Sequence, residues 1–280
     1  MIKPRAIFGT AVAVCVAVSA ISLLDGCDRK PKPAAKTDRP PATVAPLAFA
    51  KNDADSSVTL TLPEPIKLFP ELHTQLYNAG QQKLLDFMAQ AHKGRAEEKA
   101  EGMDVPAYSQ SIAWQISAQS PRLLSLYAEE NDFSGGAHPT SSFQALLYDK
   151  VKKDLINTAT LFASGADLKP IDDYVCHQIE TERSKRLQEP TTQAGSGFSC
   201  PHVADSKLIL IPSTLAGHIG AIDALYAPYE VGPYVEGPYE IRIPQSVLKP
   251  VLSSDFADQF GGDAVKDNAL DSTAASATLQ

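Results

Sequence analysis

Near Tyr108 the spacing of apolar residues changes from the period of a helix to that of a strand, and this change limits the chain to a mixed fold. Before it, Leu72, Leu76, Leu84, Met88 and Ala91 recur at helical intervals after Pro70, with Phe87 beside them. Side chains three or four positions apart share one face of a helix, so this stretch carries an apolar stripe that needs covering. Pro70 suits the first turn, where a missing N–H is no loss, and Gly80 weakens the middle. Lys93 to Glu101 is charged and is expected to be exposed. Beyond Tyr108, Ile112, Trp114 and Ile116 alternate, then Leu124 and Leu126, then Phe143, Ala145 and Leu147. Alternation puts apolar side chains on one face of a strand. Pro121 and the run from Asn131 to His138 supply turns. Three alternating strands in succession predict an antiparallel meander, and the preceding helix covers its apolar face.

The same reading extends to both sides. Val58, Leu60 and Leu62 make Ser57 to Leu62 a strand, and Leu155 to Phe162 is a transition. Pro170 to Leu187 is a second helix, with Ile171, Val175 and Ile179 at spacing four. Asp172 and Asp173 sit in its first turn, where the helix dipole favours negative charge. Gln188 to Pro201 reads as loop, with a flexible connector at Gly195 to Gly197. Lys207 to Pro212, Gly220 to Tyr226 and Tyr239 to Ile243 read as strands, and Gln245 to Leu252 as a short closing helix. The fold class is therefore α+β: antiparallel sheets, each covered by a helix, in two small subdomains at 57–150 and 151–253. Past Ser253 the chain is polar, small and glycine-rich, so 254–280 is expected to be a disordered tail.

The N-terminus bears on location. Lys3 and Arg5 precede an uncharged, mostly Ala/Val/Ile/Leu run from Ala6 to Leu24. A short basic region before an apolar run is the pattern of a secretory signal, and an uncleaved membrane helix is its rival. Leu24-Asp25-Gly26-Cys27 resembles the lipobox of bacterial lipoproteins, with Asp25 a departure from the small uncharged residue usual there. The resemblance implies cleavage after residue 26, lipid on Cys27, and a membrane-anchored protein on the periplasmic side of the cell envelope. Residues 27–56, rich in Pro, Ala and Lys, then form an extended tether. The full chain carries a formal charge of −8, and losing Lys3, Arg5 and Asp25 makes the remainder more acidic by one. No strongly basic stripe exists, so nucleic acid is excluded as a partner. An acidic body favours basic partners.

Four cysteines occur. Cys15 falls in the signal and Cys27 would carry lipid. Cys176 and Cys200 remain, and an even pair outside the cytoplasm favours a disulfide. Free thiols and a zinc site with His177 and His202 are the alternatives, although the spacing is unlike the usual zinc fingers.

Few motifs carry chemistry. No H-E-x-x-H or G-x-S-x-G occurs, and Gly195-Ser196-Gly197 lacks the lysine of a phosphate loop. His138, near Ser134 and Asp132, could act as a base toward a serine or bond only a loop carbonyl; the second is preferred. The strongest binding candidate runs from Tyr226 to Tyr239, with tyrosines at 226, 229, 234 and 239 and prolines at 228, 233 and 238. Proline stiffens a loop and tyrosine offers a large amphipathic contact. Tyr229 is expected to be buried and Tyr234 exposed.

Asp132-Phe133-Ser134-Gly135-Gly136-Ala137-His138, together with Ala227 to Tyr234, Glu236-Gly237-Pro238 and Ile241-Arg242-Ile243-Pro244, carries a resemblance. These segments resemble the extracytoplasmic domain of unknown function shared by the lysozyme-sensing anti-sigma factor RsiV and the peptidoglycan deacetylase PdaC, over roughly residues 57 to 250. The longer stretch from Ser206 to Leu225, with Leu215-Ala216-Gly217-His218, departs from that family. No deacetylase segment is recognised. With no catalytic or metal motif legible, the chain reads as a non-catalytic, lipid-anchored recognition module without cofactor or metal, and the resemblance implies a lysozyme-type protein or a peptidoglycan fragment as its ligand. Partner contact is assigned to His138, Tyr229, Val231, Pro233 and Tyr234. The alternative is an envelope glycan-modifying enzyme or an accessory domain of one.

Overall fold

The computed structural model describes residues 44–265 and 269–270. The signal-like segment, Cys27 and residues 28–43 lie outside the described residues, as do 271–280. Among the described residues no helix is long and apolar enough to cross a membrane.

Strands β1 (Ala48–Asn52), β2 (Ser56–Thr61), β3 (Tyr108–Gln119), β4 (Leu123–Phe133), β5 (Thr140–Asp149) and β6 (Asp154–Ile156) form one sheet in sequence order. The meander β3–β4–β5 is antiparallel as expected. Two features depart from the expectation of purely antiparallel sheets ending in an extended tether. β2 pairs with β3 in parallel, because helix α1 (Pro70–Ala100) intervenes and returns the chain in the same direction. The end of the tether is itself an edge strand, with Phe49 of β1 opposite Leu60 of β2.

Helix α1 packs Leu72, Leu76, Leu84 and Met88 against Val58, Leu60, Ile112, Trp114, Leu124 and Leu126 on one face of this sheet. Gly80 permits the approach: a Cβ there would sit 2.9 Å from the Leu60 side chain. Its helix-weakening is the cost of bringing α1 close to β2. The expectation that Lys93 to Glu101 is exposed is corrected at Arg95, which is buried and donates to the Val105 carbonyl and, at 3.4 Å, to Glu98.

A second sheet holds β7 (Lys207–Pro212), β8 (Ile219–Tyr226) and β9 (Tyr239–Pro244), with β8 in the middle and buried throughout. Helix α2 (Lys169–Leu187) covers one face through Ile171, Val175 and Ile179, against Leu208, Leu210, Ile222, Ala224, Ile241 and Ile243. The other face, through Ile209, Ile211, Ala221 and Leu225, packs on Tyr127 and Phe143 of the larger sheet. The order of layers is thus helix, sheet, sheet, helix. The described residues belong to one compact unit, and the Leu210 N–H donates to Ser125 Oγ at 3.0 Å across the two sheets. Asp223 and Asp149, both fully buried, are each gripped by a two-pronged arginine, Arg242 and Arg122.

Cys176 on α2 is disulfide-bonded to Cys200, with Cα atoms 5.2 Å apart. His177 is exposed, and His202 bonds Asp172 at 2.9 Å. Asp172 also accepts the Val203 N–H at 2.8 Å, so it fastens the segment leading to β7 onto the start of α2.

The closing helix is shorter than expected, α3 (Gln245–Leu248). The disordered tail is corrected over its described part. Phe256 is buried and Arg122 stacks over its ring at 4.4 Å, while Gln259 accepts from Ser120 Oγ and the Arg122 N–H. The chain then crosses β8 so closely that a Cβ on Gly220 would collide with the Ala264 backbone. Ala269 and Leu270 pack on the inter-sheet core, and their N–H groups donate to Glu240 at 2.8 and 2.9 Å. Low hydrophobicity hid this segment because backbone pairing, at Val265 N–H to the Pro212 carbonyl, does much of the fastening.

Candidate functional site

The sequence from Ala227 to Tyr239 turns sharply twice. In the first turn the Glu230 N–H bonds the Ala227 carbonyl, with Pro228 second and Tyr229 third at φ +74°. Proline at the second position and positive φ at the third are marks of a type II turn, where glycine is the favoured third residue. A tyrosine in that conformation costs about 1–2 kcal/mol. The second turn is a short 3-10 helix at Tyr234–Glu236, ended by Gly237 at φ +72°.

What holds this loop is a buried ion pair. Arg183, on the same α2 stripe as Ile171, Val175 and Ile179, reaches Glu236 with two bonds of 2.9 Å. The side chains are 4% and 2% exposed. Arg183 also donates to Gln193 at 2.6 Å, and Gln193 donates to the Val231 carbonyl at 3.0 Å. The Tyr239 hydroxyl donates to Glu236 as well. Arg183 holds the Glu236 carboxyl below the usual carboxylate range. Burial and the facing Glu236 push the Tyr239 hydroxyl up. Arg186 lies 3.9 Å over the Tyr239 ring and caps the Glu236 and Pro238 carbonyls.

On this frame three predicted candidates meet. His138, from the β4–β5 loop, stacks on Tyr234 with ring centroids 3.8 Å apart, and Tyr229 lies 5.6 Å from Tyr234. The Tyr229 hydroxyl is 3.3 Å from His138 Nε2, and His138 Nδ1 faces the Pro139 carbonyl at 2.9 Å. The expected carbonyl bond of His138 is therefore present, and the ring also joins an aromatic stack.

The burial expected of the two tyrosines is corrected. Tyr229 is 55% exposed and Tyr234 is half-buried under His138. Positive φ turns Tyr229 outward, whereas Tyr234 lies in a helical turn pinned by Glu236. Val231 is 1% exposed and belongs to the core under α2, so its side chain does not face a partner; Pro233 is half-buried. Val235, not singled out from the sequence, is 87% exposed beside the stack. Arg183 was also missed, although an arginine four residues after Ile179 on an apolar stripe is a signal that an acidic partner is needed. Among the described residues, no group of three or more His, Cys, Asp or Glu is placed to hold a metal ion.

Two helix-covered sheets packed face to face, with an aromatic surface at their junction, define a two-module α+β class. The profile described as Deacetylase PdaC matches residues 50–141, and that described as Protein of unknown function (DUF3298) matches residues 159–246. The chain thus carries the domain of unknown function shared with PdaC. Among solved structures, a member of the DUF3298 family from Bacteroides fragilis is similar at 15% identity and TM-score 0.49, over 75% of this chain and 93% of that one. A DUF3298 family protein from Pseudomonas aeruginosa is similar at 17% identity and TM-score 0.46, over 78% and 99%. No curated protein matches the chain.

Proposed function

We propose that this chain is a lipid-anchored recognition module of the cell envelope, held through Cys27, that binds a basic, lysozyme-type protein without catalysing a reaction. One observation carries the reading: Tyr229 is held outward at φ +74°, at the edge of a stack with His138 and Tyr234. Strain in a residue that contributes little to the core is the kind that persists at binding sites. Tyrosine on a stiff loop is a common energetic anchor in interfaces. The exposed Glu230 and the formal charge of −8 favour a basic partner.

The test is surface plasmon resonance of the full chain in detergent over an immobilised c-type lysozyme. Tyr229→Ala is expected to weaken the Kd by about tenfold or more, roughly 1.4 kcal/mol, at an unchanged melting temperature. Raising salt should slow association. Absence of saturable binding, or equal affinity of the two proteins, removes the proposal.

A further inference from the structure

A groove of about 870 Å³ runs between α1 and the paired strands β3 and β4, and it shares no side chain with the aromatic surface. Phe87 of α1 and Tyr108 of β3 give it apolar ring surface. The Tyr108 ring is fixed by its hydroxyl, which donates to Glu98 at 2.7 Å. Around the rings stand amides, carboxyls and one ammonium. We propose that this groove binds a short oligosaccharide that carries no acidic group.

The one ammonium in the groove is already engaged. Lys83 Nζ lies 2.6 Å from Glu130 Oε2, and Asp86 accepts from Gln82 at 2.8 Å. Burial raises the Asp132 carboxyl above its ordinary range, with Ser134 donating to it at 3.3 Å and Gln110 at 3.5 Å. An anion would meet Asp86 and Asp132 and find Lys83 already paired with Glu130. An anion therefore gains no free counter-charge there.

One group in the groove lacks a partner. Gln110 Oε1 is buried and no donor reaches it among the described residues. A buried acceptor without a donor is unfavourable, so a ligand that supplies an O–H or N–H gains there and a purely apolar one does not. A sugar supplies such donors along its edge, accepts from Lys83 through its ring hydroxyls, and lays its C–H face on Phe87 or Tyr108. The volume falls within the range of small-ligand clefts, about 300–1,000 Å³. Rings for contact area and a few converging polar groups for orientation are the usual composition of such clefts.

The experiment is isothermal titration calorimetry of the full chain in detergent with cellotetraose and chitotetraose. Trigalacturonate serves as the anionic control. The expected result is saturable binding of at least one neutral tetramer at a Kd on the order of 1 mM or tighter, with the anionic chain weaker. Gln110→Leu should weaken that binding by about tenfold, because a donor is then left facing a methyl group. Asp86→Ala, on the exposed face of α1, should also weaken it and keeps the test available if the Gln110→Leu variant does not fold. Tyr229→Ala should leave it unchanged, so failure of this site is separable from failure of the aromatic surface. No saturable binding of either neutral chain, a preference for the anionic one, or full affinity in the folded variants overturns the proposal.

Discussion

Replacing Arg183 by methionine tests whether the loop bearing Tyr234 is held by a buried charge. The change keeps the aliphatic length that fills the α2 stripe but removes the cation facing Glu236, whose side chain is 2% exposed. Deleting one partner of a buried pair commonly costs 3–5 kcal/mol, mostly because the other charge stays buried and uncompensated. Two features place this case at about 3 kcal/mol, the lower end of that range. The Tyr239 hydroxyl still donates to Glu236, and Arg186 still stands nearby. Gln193 loses the bond from Arg183 but keeps the Val231 carbonyl. Urea denaturation of the oxidised protein, extrapolated to water, measures the loss. The double variant Arg183→Met with Glu236→Leu removes both charges and should recover more than half of it. The pH dependence adds a sign. Glu236 is held below the ordinary range in the folded state, so its contribution is full above about pH 5 and is lost as pH falls through and below about 4. The gap between wild type and Arg183→Met should shrink on acidification. A loss under about 1 kcal/mol, or strict additivity of the two single changes, would refute a dry, coupled pair.

Three further expectations follow from other parts of the molecule. Reduction of the Cys176–Cys200 disulfide, or Cys176→Ser with Cys200→Ser, should lower stability by about 3 kcal/mol, measured by denaturation with and without reductant. Glu240 has its carboxyl raised to about 7 by burial and the neighbouring Asp223, so the stability it gives is complete below about pH 4 and lost as pH rises through 7. Melting temperature should accordingly fall between pH 5 and 8 in the wild type, and the Glu240→Gln variant should show a flatter profile over that interval. Cys27→Ser should abolish incorporation of labelled fatty acid in an expressing bacterium; unchanged labelling would end the anchor reading.

Much of the fold is legible in residue spacing. Leu72 to Ala91 marks α1, and the alternation from Ile112 to Leu147 marks the meander, because each period reports a single buried face. The parallel β2–β3 pairing was not legible, since alternation is blind to strand direction. Nor was β1, whose burial is slight because it lies at the sheet edge. The tail escaped notice for a related reason. Gln259 and Ser120 are 139 positions apart, and polar residues that meet only in the folded chain leave no local pattern. At the site, composition singled out Tyr229, Tyr234 and His138, but not which tyrosine faces outward. That depends on the sign of one φ angle, which Pro228 permits but does not dictate.

The fastening of residues 255–265 over the turn at Ser120–Arg122 and across Gly220 has a consequence for biosynthesis. A chain made from its N-terminus can pair β3 with β4 and β5 early, because those contacts are local. It cannot close the far face of the small sheet until Ala264, Val265, Ala269 and Leu270 have been made. Through that interval Ile209, Ile211 and Leu225 lack part of their cover, and the nascent protein presents a greasy surface to chaperones and proteases alike. Truncation of even a dozen residues before position 265 would prolong that vulnerable stage indefinitely, and the expected sign is loss of yield rather than loss of binding.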